Sequence, residues 1–254
     1  MPNYFIDAAM RQGSRVMVTG PLARHLAGSL RLRVGESLTL VQQDVERVLD
    51  GQVTAVDKDR VGIDVTAERP CPPEPAHITL VVGMPKGKKL EEVVRHTVEA
   101  GVSRIIPVFT ERAVPRPREA VARGERLSAI ALEAAQQSGR YRVPEVSAPI
   151  PLTAYLVHGD TRADPDRPGG SGLRVMLWEE ERVALFRQVV VPPVDRVTLF
   201  VGPEGGITPG EAAQLKDAGF NSVSLGPHTL RTETACVAAV ALTVSLLWRT
   251  VPQS

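Results

Sequence analysis

Val197-Thr-Leu-Phe-Val-Gly-Pro-Glu-Gly-Gly-Ile-Thr-Pro-Gly-Glu211 decides the reading of this chain, because it passes from an apolar strand through three glycines into a helix start. Thr208-Pro209-Gly210-Glu211 has the form of a capping box with proline in the first helical position. The glycine loop therefore lies between the C-terminal end of a strand and a helix N-terminus, where open α/β sheets take their ligands. Three glycines bring a ligand close to bare backbone N–H and C=O groups, and Pro203 fixes part of the loop, whereas an ordinary tight turn needs one glycine. A second loop, Leu225-Gly-Pro-His-Thr-Leu-Arg231, ends the next strand, and Thr232-Glu-Thr-Ala235 opens a long Ala/Val/Leu helix. Two adjacent strand ends are expected to carry the two loops. The common nucleotide fingerprints do not account for them: GxGxxG is absent, and Gly83-Met-Pro-Lys-Gly-Lys-Lys-Leu90 is one residue short of a P-loop and lacks its Ser/Thr. A dinucleotide-binding loop also opens its domain, while only about 50 residues follow Gly202, too few for the remaining βα units.

Working outward, the apolar run Ile78–Val82 reads as a strand, and Leu90, Val93, Val94, Thr97 and Val98 follow helical spacing up to a cap at Gly101. Ile105–Phe109 is a further strand, and Leu127, Ile130, Ala131, Ala134 and Ala135 mark an amphipathic helix ending near Gly139. Leu173–Trp178 and Ser222–Leu225 complete an α/β order with a mainly parallel sheet. Gly159–Gly172 has no periodicity and reads as a mobile surface loop. Upstream, Pro70, Pro72, Pro73 and Pro75 form a stiff stretch that neither a helix nor a central strand continues. The expected division is residues 1–70 and 76–254. Before the prolines, Val16/Val18, Leu38/Leu40 and Val61/Ile63/Val65 alternate with period two, which predicts a small β-barrel of about 70 residues.

Composition bounds the function. With 43% apolar and 23% charged residues the chain is neither disordered nor a coiled coil, and its net charge of +1 excludes a histone-like polycation. Placement says more: Arg11, Arg15, Arg24, Arg31 and Arg33 face a single acid, Asp7, in the first 33 residues. That favours an anionic partner, although a general preference for arginine, 25 against 5 lysines, produces the same pattern. Cys71 and Cys236 have neither metal-ligand nor disulfide-framework spacing, so no metal site is expected and a reducing cytoplasm fits. Asp7 and Arg11 stand where a signal peptide needs apolar residues, and Ala235–Leu247 is shorter than the roughly 18 residues of a membrane span.

The two C-terminal motifs together resemble the RsmE family of SPOUT methyltransferases, which methylate N3 of a uridine in 16S ribosomal RNA. Weaker matches run through most of the chain: Leu30-Arg31 with Gly35, Glu99 with Gly101-Val102, Thr110-Glu111-Arg112, and Ser138-Gly139-Arg140 before Val143-Pro144. The resemblance implies an α/β SPOUT domain with a deep trefoil knot, against the general rule that chains are unthreaded, and a PUA-like β-barrel before it that helps hold RNA. It also implies an obligate homodimer and S-adenosylmethionine cradled by Val201, Gly202, Pro203, Glu204, Gly205, Gly206, Leu225, Gly226, Pro227, Leu230 and Arg231. The chain departs from the family pattern at His96, Gln136 and His228, where lysine, glutamate and arginine are usual. Gln42-Gln43-Asp44 replaces an aspartate-glycine turn.

For such a reaction uracil N3 must lose its proton and the resulting anion must be stabilised. Arg231 is the first candidate for that electrostatic work and Arg140 the second. Glu204 and Glu233 are candidate proton acceptors or loop braces, and Glu233 also sits where a helix start favours negative charge. Arg24, Arg31, Arg33 and Arg112 are candidate RNA contacts, positioning phosphates without reading sequence. The C-terminal stripe Ala235, Ala238, Ala239 and Leu242 is the expected dimer face, with packing inside its own domain as the competing explanation. A SPOUT enzyme acting on a ribose 2′-hydroxyl or on tRNA would share the glycine loops, and a non-catalytic RNA-binding protein is the remaining class.

Overall fold

The computed structural model describes residues 2–113, 124–158 and 172–248, so the segment read as a mobile surface loop lies outside the described residues except for Gly172. The chain divides into two compact units, Met1–Pro73 with Ala135–Val143, and Glu74–Ala134 with Pro144–Ser254.

In the first unit, β1 (Asn3–Phe5), β2 (Arg11–Gln12), β3 (Arg15–Thr19), β4 (Ser37–Gln42), β5 (Arg47–Asp57) and β6 (Arg60–Pro70) form a sheet in the order β1-β4-β5-β6-β3-β2. Every pairing is antiparallel except β1 on β4. The alternating residues Val16, Val18, Leu38, Leu40, Val61 and Ile63 all turn into one core, as their period of two requires. Gly51 yields room there, since a Cβ on it would lie 2.4 Å from Ile63 Cγ2. Both edge strands are short, which limits unpaired backbone. The short helix α1 (Gly20–Arg24) and a π-helical turn at His25–Ser29 bury Ala23 and Leu26 beneath the connection to β4.

Residues 135–143 belong to this unit through specific bonds. Buried Asn3 donates from Nδ2 to the carbonyls of Gly139 and Arg140, at 2.8 and 3.1 Å. Val143 N–H donates to Gln43 Oε1 at 2.8 Å, and Arg142 pairs with Glu46 at 2.7 Å. Gln42, the other glutamine of the departed turn, is itself buried and accepts from Arg11 Nη1 at 2.9 Å.

The second unit contains β7 (His77–Gly83), α2 (Lys89–Ala100), β8 (Arg104–Phe109), α3 (Gly124–Gln137), which passes into the first unit at Ala135, β9 (Glu145–Val146), β10 (Ile150–Pro151) and α4 (Leu152–His158). It continues through β11 (Leu173–Leu177), α5 (Phe186–Val189), β12 (Arg196–Val201), α6 (Pro209–Asp217), β13 (Asn221–Val223) and α7 (Thr232–Leu247). The sheet is parallel throughout, in the order β10-β8-β7-β12-β11-β13, with β9 also on β8. This makes the whole protein α/β with an N-terminal, mainly antiparallel β domain. Strands β7 and β12 are buried on both faces, which is why they read as continuous apolar runs. Beneath one face, Phe200 meets Phe220 edge to face at 6.3 Å.

The two glycine loops are not on adjacent strands. β11 lies between β12 and β13, because crossover connections, not chain order, set the sheet order. The consequence is a third strand end at the site.

Candidate active site

The first glycine loop leaves β12 at Val201 and turns back on itself, Gly206 N–H donating to Pro203 O at 2.9 Å. Three more carbonyls in and just after the loop are held from outside. Thr232 Oγ1 donates to Gly202 O at 3.2 Å, and Arg112 Nη1 donates to Gly205 O at 3.1 Å and Ile207 O at 3.4 Å. The capping box forms as its spacing predicts, with Glu211 N–H on Thr208 Oγ1 at 3.2 Å and Thr208 N–H on Glu211 Oε2 at 2.9 Å. Glu211 Oε1 then accepts Glu111 N–H at 2.8 Å, so Glu111 and Arg112 both tie the end of β8 to this loop. Gly83, the last residue of β7, passes so close that a Cβ would lie 2.4 Å from Pro203 Cδ and 2.6 Å from Pro203 N.

Glu204 is committed on both oxygens. They accept Lys86 N–H at 3.2 and 3.3 Å, and Oε1 lies 3.1 Å from Lys89 Nζ. Burial pushes this carboxyl up, but hydrogen bonds from its own backbone, from Lys89 and from Lys86 outweigh burial and hold it below the usual carboxylate range. The hydrogen bond to Glu204 raises Lys89 above the usual lysine range, against partial desolvation. Glu233, on the first turn of α7, places Oε2 3.4 Å from the same Lys89 Nζ. That oxygen is buried and makes no hydrogen bond among the described residues. Both acids thus converge on the Lys89 ammonium.

The second loop is held more lightly. Ser224 Oγ donates to Gly226 O at 3.0 Å and accepts Gly226 N–H at 3.3 Å. The backbone N–H groups of Leu225, Thr229 and Leu230 find no protein partner among the described residues. Gly226 has φ +145°, and a Cβ there would meet nothing within 4 Å.

Between the loops lies a cavity of about 440 Å³. It brings together Val201, Gly202, Pro203, Glu204, Gly205, Gly206, Leu225, Gly226, Leu230 and Arg231, all expected from the sequence. Pro227 does not line it, and neither does Glu233. Arg140 lies in the first unit and Arg112 stands behind the first loop, while Arg24, Arg31 and Arg33 are exposed in the first unit. The end of β11 adds Leu177, Trp178, Glu179 and Arg182, which the sequence reading missed. Lys86 and Lys89 were missed too. Their signal was positional: each follows the C-terminal end of a strand that neighbours β12, and that is visible only once the sheet order is known.

The family model of the RNA methyltransferase domain matches residues 72–244, a span that includes the whole parallel sheet and both glycine loops. Fold and site define an RNA methyltransferase of the SPOUT class. The ribosomal RNA small subunit methyltransferase E of Mycobacterium bovis is 32% identical over 94% of this chain and 88% of its own length. A crystal structure of the Neisseria gonorrhoeae ribosomal RNA small subunit methyltransferase E bound to S-adenosylmethionine aligns with TM-score 0.82 and 30% identity, over 97% of this chain and 98% of that one. A Legionella pneumophila methyltransferase in complex with the same cofactor aligns with TM-score 0.79 and 26% identity over 96% of both chains. The chain belongs to the ribosomal RNA small subunit methyltransferase E family.

Proposed function

We propose that this chain methylates N3 of a uridine in the 16S ribosomal RNA of the small subunit, using S-adenosylmethionine held between its two glycine loops. One observation carries the reading: two glycine loops at strand ends enclose one cavity whose backbone donors are unpartnered on the second loop. The cavity fits the cofactor. Its volume of about 440 Å³ lies in the small-molecule range. Leu177, Val201, Leu225, Leu230 and Ala235 offer apolar surface for an adenine, and loop N–H groups offer donors for its polar edge.

When bound, S-adenosylmethionine supplies an electrophilic methyl group, and its in-line transfer discharges a sulfonium, so positioning and exclusion of water are the main demands on the protein. Arg231, exposed on the rim at the N-cap of α7, stabilises the deprotonated uracil. Arg182 extends that cationic rim toward the RNA backbone, and His228 adds a hydrogen-bonding group beside it.

In the first unit, Arg11, Arg15, Arg47, Arg69 and Arg142 are paired with acids. Arg24, Arg31 and Arg33 are exposed and their guanidinium groups form no ion pair within 4 Å among the described residues, although the Arg33 backbone N–H donates to Glu36 Oε2 at 3.0 Å. Arg31 also holds φ +54°, a conformation costing a non-glycine residue about 1–2 kcal/mol, directly after the π-helical turn. These three are the RNA-phosphate contacts of this reading, and Arg112 is moved from that set to bracing the first loop. Arg31→Ala with Arg33→Ala then flattens the salt slope of RNA binding by roughly 1.5.

We also propose a homodimer through α7. The expected stripe divides: Ala235 and Ala239 are buried in the chain's own fold, whereas Ala238 is half-buried and Leu242 and Trp248 remain 43% and 62% exposed. The dimer face is Ala238, Ala241, Leu242 and Trp248, and light scattering of Leu242→Glu should show monomers where the parent shows dimers. The activity belongs to the cytoplasm, where ribosomal subunits are.

The deciding experiment incubates purified protein with S-adenosylmethionine and unmethylated small subunits, followed by mass spectrometry of nucleosides. New N3-methyluridine supports the reading. A 2′-O-methylated nucleoside or modified tRNA would assign the chain to a sibling activity, and absent cofactor binding would leave only RNA binding.

A further inference from the structure

We propose that Lys89 is a positioning residue: its single ammonium group fixes the two glycine loops against each other, and the shape of the cofactor cavity depends on it. This rests on the reading that the loops hold S-adenosylmethionine. The loops arise from β12 and β13, strands that β11 keeps apart, so sheet hydrogen bonding does not register one against the other. Among the described residues two side-chain links cross that gap. Thr232 Oγ1 donates to Gly202 O at 3.2 Å, and Lys89 Nζ lies 3.1 Å from Glu204 in the first loop and 3.4 Å from Glu233 just after the second.

Lys89 is suited to the task. It is the first residue of α2, whose Leu90, Val93 and Val94 are buried, so the side chain springs from fixed backbone. Its side chain is 33% exposed, and those of Glu204 and Glu233 are 24% and 18% exposed, which screens the pair less than open surface does. Among the described residues no other cation lies within 4 Å of either acid. Removing the ammonium leaves two carboxylates repelling each other, one with a buried oxygen that has no other partner. Glu204 keeps its two Lys86 N–H bonds. The expected result is therefore a loop that still folds but moves away from Glu233.

The test is calorimetric titration of S-adenosylmethionine into the full-length parent, Lys89→Met and Lys89→Arg, with steady-state kinetics on small subunits. Lys89→Met should weaken cofactor binding about tenfold, and Lys89→Arg should restore it to within about threefold, since an arginine reaches both acids. The KM for the cofactor should rise while the KM for RNA stays near the parent's value. In the Glu204→Gln background the same lysine substitution should cost much less, revealing the coupling. Parent-like cofactor affinity in Lys89→Met overturns the inference, as does a loss that Lys89→Arg does not repair. If the parent itself does not bind S-adenosylmethionine, the functional reading fails first and the inference with it.

Discussion

The two glycine loops look alike in sequence and are built differently. The first is pinned through its carbonyls by Thr232 and Arg112, through Glu204 by Lys86 and Lys89, and by the close passage of Gly83 beneath Pro203. The second is held by the Ser224 bonds and, where it enters α7, by Ala235 N–H on Arg231 O at 2.8 Å, and leaves several N–H groups unpartnered among the described residues. The contrast separates two tasks. A loop held from outside keeps its shape before a ligand arrives, whereas open donors on a lightly held loop are completed by the ligand. Cofactor affinity should be most sensitive to whatever shapes the first loop, and turnover to the charge that leads out of the second.

The strongest way to break this contrast is Gly83→Val. The new Cβ would meet backbone, Pro203 N at 2.6 Å, and cannot be relieved by rotating a side chain. Overpacking of this kind costs about 1–3 kcal/mol, which lowers the thermal midpoint of a chain this size by roughly 2–12 °C. With the first loop displaced, calorimetry should show a loss of S-adenosylmethionine binding of about a hundredfold or more. A variant that melts early but binds normally would show that the loop's shape does not come from β7.

Arg231→Ala should act on the other quantity. Removing a group that stabilises developing negative charge lowers kcat by about 10²–10³-fold. The cofactor dissociation constant should stay within about threefold, because the Arg231 side chain lies on the rim and makes no hydrogen bond or ion pair among the described residues. Equal losses in affinity and turnover would merge the two tasks that this contrast assigns to separate loops.

Particular residues show how far the sequence could be read. The apolar runs of β7 and β12 announced a parallel sheet because both their faces are buried, and Gly101 at φ +112° and Gly139 at φ +69° end their helices as their positions implied. The capping box at Thr208 and all the expected cavity residues except Pro227 were legible for the same reason, since loop chemistry is local. What escaped was non-local. No periodicity reveals that β11 inserts between β12 and β13, so Glu179 and Arg182 were invisible, and so was the meeting of Lys89 with two acids far along the chain. Arg112 was legible as a cation but not as a brace, because its partners are carbonyls more than 90 residues away. Arg140 belongs to the first unit, where Asn3 Nδ2 donates to its carbonyl, a pairing across more than 130 residues that no local pattern announces.

A smaller effect is expected at Gly226. No atom obstructs a Cβ there, so Gly226→Ala is penalised only by its φ of +145°, a region that L side chains rarely adopt. A strain of about 1 kcal/mol corresponds to roughly a fivefold loss of cofactor affinity if the second loop must hold this conformation to bind. Unchanged affinity would mean that the loop relaxes on binding, which sharpens the contrast with the first.

The smallest effect is on pH dependence, and it too separates the loops. Glu204 is held ionised below the usual carboxylate range, so the brace it gives the first loop is fully present above the ordinary glutamate value of about 4.3 and is lost as pH falls through the lowered one. Lys89 is raised, so its charge persists through neutrality and is lost only above the usual lysine range. Between about pH 5 and pH 7 the brace should therefore be constant, with cofactor affinity declining by about two- to threefold only as the pH drops below about 4. Glu181 also lies low, held by backbone N–H groups of Val183 and Ala184, and would contribute its own acid loss near the β11 end. The difference between parent and Glu204→Gln isolates the first loop: the variant, weaker at pH 6, should lose less on acidification. Parallel profiles would place the acid sensitivity at Glu181 and remove Glu204 from the set of contacts that shape the cavity.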